Sequence, residues 1–197
     1  MSAIKEFLSQ CENASEINFV GPLANKYCVS GITVFVDSSP ELKKNAFWIG
    51  DRDTSDPGDL VNVLKILPCD KDRSDFAEAL AVLPDAIKKV LAHGFLGGRK
   101  DHEFFNYFEA VQWVKKGVMR EVHFDSQIIV FGPGTFNLTL HSLFSCLAID
   151  GLPFSIKGKL KYPIAEGLRP LSSHGLSNQA YGEIELNIAS ALILWIS

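Results

Sequence analysis

The hydrophobic repeat of this 197-residue chain changes once along its length, and that change limits what the chain can fold into. Up to about residue 117, short apolar runs alternate with helical patterns. Ile32–Val36, Ala46–Ile49, Val63–Leu67 and Val90–Gly94 are predicted strands. Asp75–Leu83 has helical spacing through Phe76, Leu80 and Leu83, and His102–Lys116 places Phe104, Phe108 and Val111 on one face. Strands alternating with helices predict a mostly parallel sheet. Beyond residue 119 the period is two. Phe136, Leu138 and Leu140 alternate with polar residues; Phe154, Ile156, Leu160 and Tyr162 share one parity, as do Ile184, Leu186 and Ile188. Gly132-Pro-Gly134, Asp150-Gly-Leu-Pro153 and Gly167-Leu-Arg-Pro170 supply the turns, so this half predicts an antiparallel β-sandwich. The expected fold class is α/β plus all-β. A mostly parallel α/β domain is expected over residues 1–118 and a sandwich over 119–197.

Charge and cysteine usage exclude several functions. The net charge is −4 with no run of lysine or arginine, which argues against nucleic acid as a partner, because binding a phosphate backbone needs a basic patch. No stretch approaches the ~20 apolar residues of a membrane span. Cys11, Cys28, Cys69 and Cys146 form no C-x-x-C pair, and the five histidines show no ligand spacing, so neither disulfides nor zinc is expected. Reduced thiols in a cytoplasmic protein are the expectation. Ile4, Phe7, Leu8 and Cys11 recur at helical spacing, so the first residues predict a short amphipathic helix and no signal peptide.

Three polar blocks sit where predicted strands end. The first is Gly50-Asp51-Arg52-Asp53-Thr54. Asp51 and Asp53 are two apart, so in an extended segment their carboxylates share a side. They form either a solvated turn or a pair that repels until a cation intervenes. The second is Lys71-Asp72-Arg73-Ser74-Asp75, where Ser74 or Asp72 is a candidate helix N-cap and Asp75 a further metal or substrate carboxylate. The third is Gly97-Gly98-Arg99-Lys100-Asp101-His102. Its glycines permit close backbone approach, and its arginine offers a fork of donors to phosphate. It is equally compatible with a glycine turn in which Asp101 caps a helix. Open α/β sheets bind ligands outside the carboxyl ends of their strands, and carboxylates with an arginine there suit a Mg²⁺-nucleotide.

In order and spacing these blocks resemble the thiamine pyrophosphokinase family, with its G-D-x-D-S, K-D-x-[ST]-D-x-x-x-A and G-G-R-x-D-H-x-x-x-N motifs. They stand here as Gly50–Thr54, Lys71–Ala79 and Gly97–Asn106. Leu160-Lys-Tyr-Pro-Ile164 is similar to the family's G-L-K-Y-P-L strand, Gly175-Leu-Ser-Asn178 to its S-N-E segment, and Leu192–Ile196 to its final strand. The likeness covers most of the chain beyond about residue 45.

The resemblance implies a homodimer with active sites at the subunit interface. ATP and Mg²⁺ would lie on the first domain, and the partner's sandwich would help hold thiamine. It implies catalytic roles for Asp51, Asp53, Asp72, Asp75, Arg99 and Asp101, with Asp51, Asp53 and Asp75 as the metal carboxylates. Asp37, Ser74, Gly98, Arg99, His102 and Asn106 would serve ATP; Tyr162, Ser177 and Asn178 would serve thiamine. Asp101 and Asp72 are both candidates to take the hydroxyl proton. The chain departs from the family at Arg52, Thr54 and Gln179, and at Phe19–Leu23 and Val36–Ser39, where the family carries glycine-rich segments. A pyrophosphokinase of another heterocyclic alcohol, such as a pterin, would keep the carboxylates and change the sandwich pocket. A binding protein would keep the fold without turnover.

Overall fold

The computed structural model describes residues 2–24, 30–38, 46–51, 62–164 and 167–197. They gather into two compact units, Met1–Ala110 and Val111–Ser197, and the division falls inside a helix.

The first unit begins with α1 (Ala3–Cys11), whose Phe7 and Cys11 are buried. Five parallel strands follow: β1 (Glu16–Val20), β2 (Thr33–Val36), β3 (Phe47–Gly50), β4 (Asn62–Ile66) and β5 (Lys89–His93). Their spatial order is β4-β3-β2-β1-β5. Every residue of β2 and β3 is buried, which is why these strands read as unbroken apolar runs instead of alternating ones. β4 lies at the edge and is partly exposed. Phe7 of α1 meets Phe47 edge to face at 5.1 Å. Between β4 and β5 runs α2 (Asp75–Ala81); its buried Phe76 meets Phe19 of β1 and Phe95 just past β5.

The chain moves outward from β1 to β4, then returns to place β5 on the other side of β1. The β1/β5 junction is therefore the switch point where an open parallel sheet leaves a crevice. Main-chain bonds close that junction: Gly21 N–H donates to His93 O at 2.8 Å and Leu23 N–H to Gly94 O at 3.1 Å. Gly94 has φ +71°, and a Cβ there would collide with the Ala24 main chain, so only glycine fits.

α3 (Lys100–Val114) leads into the second unit. There β6 (Glu121–Phe124), β7 (Ile128–Phe131), β8 (Gly134–Leu140), β9 (Leu143–Ala148), β10 (Phe154–Leu160), β11 (Asn178–Ile188) and β12 (Leu192–Ile196) all pair antiparallel. β6, β7, β12 and β9 form one run; β8, β11 and β10 form another; β11 joins them through Asn178 and Gln179. Phe131, Phe136, Phe144, Phe154, Ile184 and Leu186 from both runs share one core. The two-residue parity fails at one place. The register shifts between Gly158 and Leu160, so Tyr162 lies beyond β10 and is 54% exposed instead of continuing the buried face.

Helix and strand positions follow the sequence expectation to within a few residues. The two helical patterns begin or end slightly early, at Asp75–Ala81 and Lys100–Val114. β1, β6, β7 and β9 are additions that short apolar runs did not separate from their neighbours. No described helix is long and apolar enough to cross a membrane.

Candidate functional site

The strand ends of the first unit surround a cleft of about 680 Å³. Each wall comes from a different element. Pro22 follows β1, Val36 ends β2 and Asp37 follows it, Asp51 follows β3, Cys69 and Lys71 through Ser74 connect β4 to α2, Asp75 and Phe76 open α2, and Phe95 follows β5. Arg99, His102 and Asn106 close it from the start of α3. A side cavity of about 200 Å³ extends over Leu23, Gly94, Gly98 and Arg99. The three polar blocks of the sequence thus meet because parallel strands present all their carboxyl ends on one edge.

The base of the cleft is a charge cluster. Lys71 Nζ lies 2.6 Å from Asp51 Oδ2 and 3.3 Å from Asp75 Oδ2. Burial alone would lower the Lys71 pKa, but the hydrogen bond to Asp51 and the charge of Asp75 outweigh it and hold the ammonium charged. Asp75 moves the other way. Burial pushes its carboxyl above the ordinary range and the Asp51 charge adds to this, against the pull of Lys71. Its Oδ1 is buried with no hydrogen-bond partner among the described residues. One ammonium therefore serves two carboxylates.

Beside this cluster Asp37 takes φ +46°, a left-handed conformation that aspartate tolerates better than most residues. It is fixed from both sides. Its N–H donates to Ile49 O at 2.9 Å, and the next residue, buried Ser38, donates its hydroxyl to Val20 O at 2.8 Å while its main-chain carbonyl accepts from Trp48 Nε1 at 3.2 Å. Ser74 is the N-cap of α2, its Oγ accepting from Ala77 N–H at 3.1 Å, so its hydroxyl supports the helix. Asp72 is exposed at the rim.

On the opposite wall Arg99 grips Asp101 through both guanidinium donors, with Nε 3.2 Å from Oδ1. That grip holds the Asp101 carboxyl down to about 2. Both side chains are largely exposed, so the pair is free to re-form around an incoming anion. Asn106 is buried one turn and a half along α3, while Gly98 and His102 are exposed at the mouth.

A metal there would draw on Asp51 and Asp75. The ammonium between them shows that these oxygens already accept a cation, and the orphaned Asp75 Oδ1 is a further acceptor, so the donor set fits a hard divalent ion. Among the described residues no three histidine, cysteine, aspartate or glutamate side chains converge as a complete ligand group; Asp53 lies outside the described residues.

The residues expected to hold thiamine gather in the second unit. Asn178 is 3% exposed, and its side chain is committed to main chain. Its Nδ2 donates to Tyr162 O at 2.7 Å, and its Oδ1 accepts from Tyr162 N–H at 3.0 Å and Gln179 N–H at 2.8 Å. Tyr162 is thereby pinned with its ring outward and Lys161 Nζ 5.2 Å from the ring centre. Ser177 is exposed at φ +56°, its N–H donating to Ser145 Oγ at 3.1 Å. Lys71, which residue order alone does not set apart from its block, is brought by the fold into contact with both Asp51 and Asp75.

Neither a family model nor a curated protein sequence matches the chain. Solved structures do. A thiamin pyrophosphokinase family protein from Enterococcus faecalis superposes with a TM-score of 0.69 at 17% identity, covering 93% of this chain and 99% of that one. Thiamin pyrophosphokinase from Candida albicans gives 0.66 at 13% identity, over 96% and 90%. Thiamine pyrophosphokinase from Bacillus subtilis gives 0.63 at 17%, over 92% and 98%. The chain has the thiamine pyrophosphokinase fold. The likeness extends over both units, which agrees with motifs found on both sides of residue 118. At these identities it is a likeness of fold.

Proposed function

We propose that this protein is a thiamine pyrophosphokinase, transferring pyrophosphate from Mg-ATP to the hydroxyl of thiamine to give thiamine diphosphate and AMP. The observation that carries the proposal is the convergence of Asp37, Asp51, Asp75, Arg99 and Asn106 on one cleft, on this fold. Such a transfer depends on positioning and charge stabilisation more than on covalent chemistry by the protein. Asp51, Asp53 and Asp75 would hold Mg²⁺, which when bound would supply positive charge to the phosphate oxygens. Arg99 binds phosphate by turning from Asp101, and the mouth residues Gly98 and His102 bound the path of the triphosphate. Ser74 serves the nucleotide by fixing the start of α2, and buried Asn106 supports it from α3. A carboxyl held to about 2 is a poor base. The hydroxyl proton therefore goes to Asp72, or to Asp101 once Arg99 has left it. Tyr162 stacks on thiamine's flat heterocycle, Ser177 lines the same pocket, and Asn178 acts by holding Tyr162.

In this proposal residues 1–118 are the catalytic domain and 119–197 a β-sandwich that binds thiamine and dimerises. The two sets of residues belong to opposite subunits of a cytoplasmic homodimer. The free thiols Cys11, Cys69 and Cys146 suit a reducing compartment. Mass spectrometry of Mg-ATP with thiamine, with a pterin alcohol and with no acceptor decides the reaction. Thiamine diphosphate with AMP is expected from thiamine alone; ADP only, or no product at any divalent-metal concentration, overturns it. For the shared site, Asp53→Asn and the double Ser177→Ala, Asn178→Ala variant, each inactive, should regain part of the activity when co-refolded. A monomer by sedimentation defeats the dimer.

A further inference from the structure

Lys71 lies at the centre of the cleft's charge and has no part in the chemistry described so far. Its ammonium bridges Asp51, which follows β3, and Asp75, the first residue of α2. Only 15% of its side chain is exposed, against 8% for Asp51 and 21% for Asp75. It sits against the same two carboxylates that a metal would draw on. An ammonium contacts carboxylate oxygen at about 2.7–2.9 Å through hydrogen bonds, whereas Mg²⁺ requires about 2.0–2.1 Å and near-octahedral geometry. A divalent ion on these carboxylates would lie within a few ångströms of the ammonium, and like charges that close in a partly buried site repel strongly. Metal and the Lys71 ammonium therefore compete for this pair of carboxylates.

The displaced ammonium has somewhere to go. Lysine carries its charge on a flexible four-carbon stem, and Lys71 lines the same cleft as Arg99 on the far wall. A swing away from the carboxylates would keep its charge inside that cleft. We propose that Lys71 is a tethered counter-ion: it holds the Asp51–Asp75 pair until a divalent cation takes those carboxylates, then transfers its charge to the phosphates of the nucleotide. The metal exchange rests on the charge cluster together with the metal of the proposed function, and the phosphate half on the proposed function. The device gives the cleft an order of filling. Without metal, Lys71 is withheld from phosphate, so metal-free nucleotide binds poorly.

The test is metal binding without nucleotide. Mn²⁺ binding is followed by electron paramagnetic resonance and Mg²⁺ binding by calorimetry, on the full chain and on Lys71→Met, Lys71→Arg and Asp51→Asn. Removing the competing cation should tighten metal binding about tenfold or more, since a neighbouring unit charge at this range is worth at least one power of ten even when screened. Lys71→Arg should bind metal like the parent, and Asp51→Asn should lose it. A lysine that merely braced the loop would give the opposite sign, with Lys71→Met binding metal as weakly as the parent or worse. At saturating Mg²⁺ the same Lys71→Met should bind ATP about tenfold more weakly, for loss of one charge on phosphate. Should Lys71→Met fail to fold, reductive methylation of the unsubstituted protein, read by mass spectrometry, is the second measurement. Mg²⁺ alone should increase labelling of Lys71, and adding ATP should suppress it. Unchanged labelling on adding Mg²⁺, or metal affinity that does not rise in Lys71→Met, overturns the counter-ion. Neither readout involves thiamine diphosphate, so a missing product would defeat the proposed function and leave the metal exchange standing.

Discussion

Asn178→Ala separates holding a ligand from holding the residue that does. The amide makes three hydrogen bonds, two of them to the main chain of Tyr162, sixteen residues away. At about 1 kcal/mol net for each, the three are worth about 3 kcal/mol. Tyr162 is 54% exposed, so water recovers part of what its N–H and C=O lose. The Gln179 bond is local and forms readily in less ordered chains. A loss of about 2 kcal/mol follows. In a chain of this size that lowers the melting temperature by about 4–8 °C. The assay is urea unfolding of parent and variant, followed by tryptophan fluorescence and circular dichroism, with thiamine affinity measured in parallel. If Asn178 works through Tyr162, stability falls, thiamine binding weakens, and Tyr162→Ala with Asn178→Ala costs no more affinity than Tyr162→Ala alone. Unchanged stability with lost affinity would refute the argument, because Asn178 would then touch the ligand itself.

Asp53→Asn should lower turnover by roughly two orders of magnitude with the fold intact, since a metal carboxylate stabilises charge in the transition state; wild-type kinetics at saturating Mg²⁺ would show a solvated turn instead. Asp150→Asn should destabilise at neutral pH and not in acid. Burial opposes ionisation of Asp150, but Ser190 Oγ at 2.6 Å, Lys115 Nζ at 3.1 Å and the Leu152 N–H outweigh it and hold its carboxyl below the ordinary range. A lowered folded pKa contributes stability above the unfolded pKa of about 3.9 and loses it as pH falls through the folded value, so unfolding curves of the two proteins should converge there. Gly94→Ala should cost well over 3 kcal/mol or prevent folding, because its Cβ collides with main chain. Gly97→Ala, at φ +90° with open space around it, should cost only about 1–2 kcal/mol. Equal losses at the two glycines would mean that strain alone is felt.

Local pattern carried the elements. Fully buried β2 and β3 could only be continuous apolar runs, and the period-two stretches could only present one face to a core, so both read directly from residue order. Ser74 as a cap and the gathering of three polar blocks also followed from where strands end. Three things depended on contacts between distant segments. The outward path from β1 to β4 and the return to β5 is one of several orders that the same strands permit, and it alone makes β1/β5 the switch point. Tyr162 keeps the parity of Phe154 and Ile156, yet the register shift at Gly158 moves it out of the core, where Asn178 catches it. Lys71 is an ordinary charged residue in its own block. Only the folding of β3 beside β4 brings Asp51 within 2.6 Å of it. Sequence periodicity fixes which face of an element is buried, because side-chain direction is a local property of the backbone. Which charges meet is set by strand order and register, and these are properties of the whole chain.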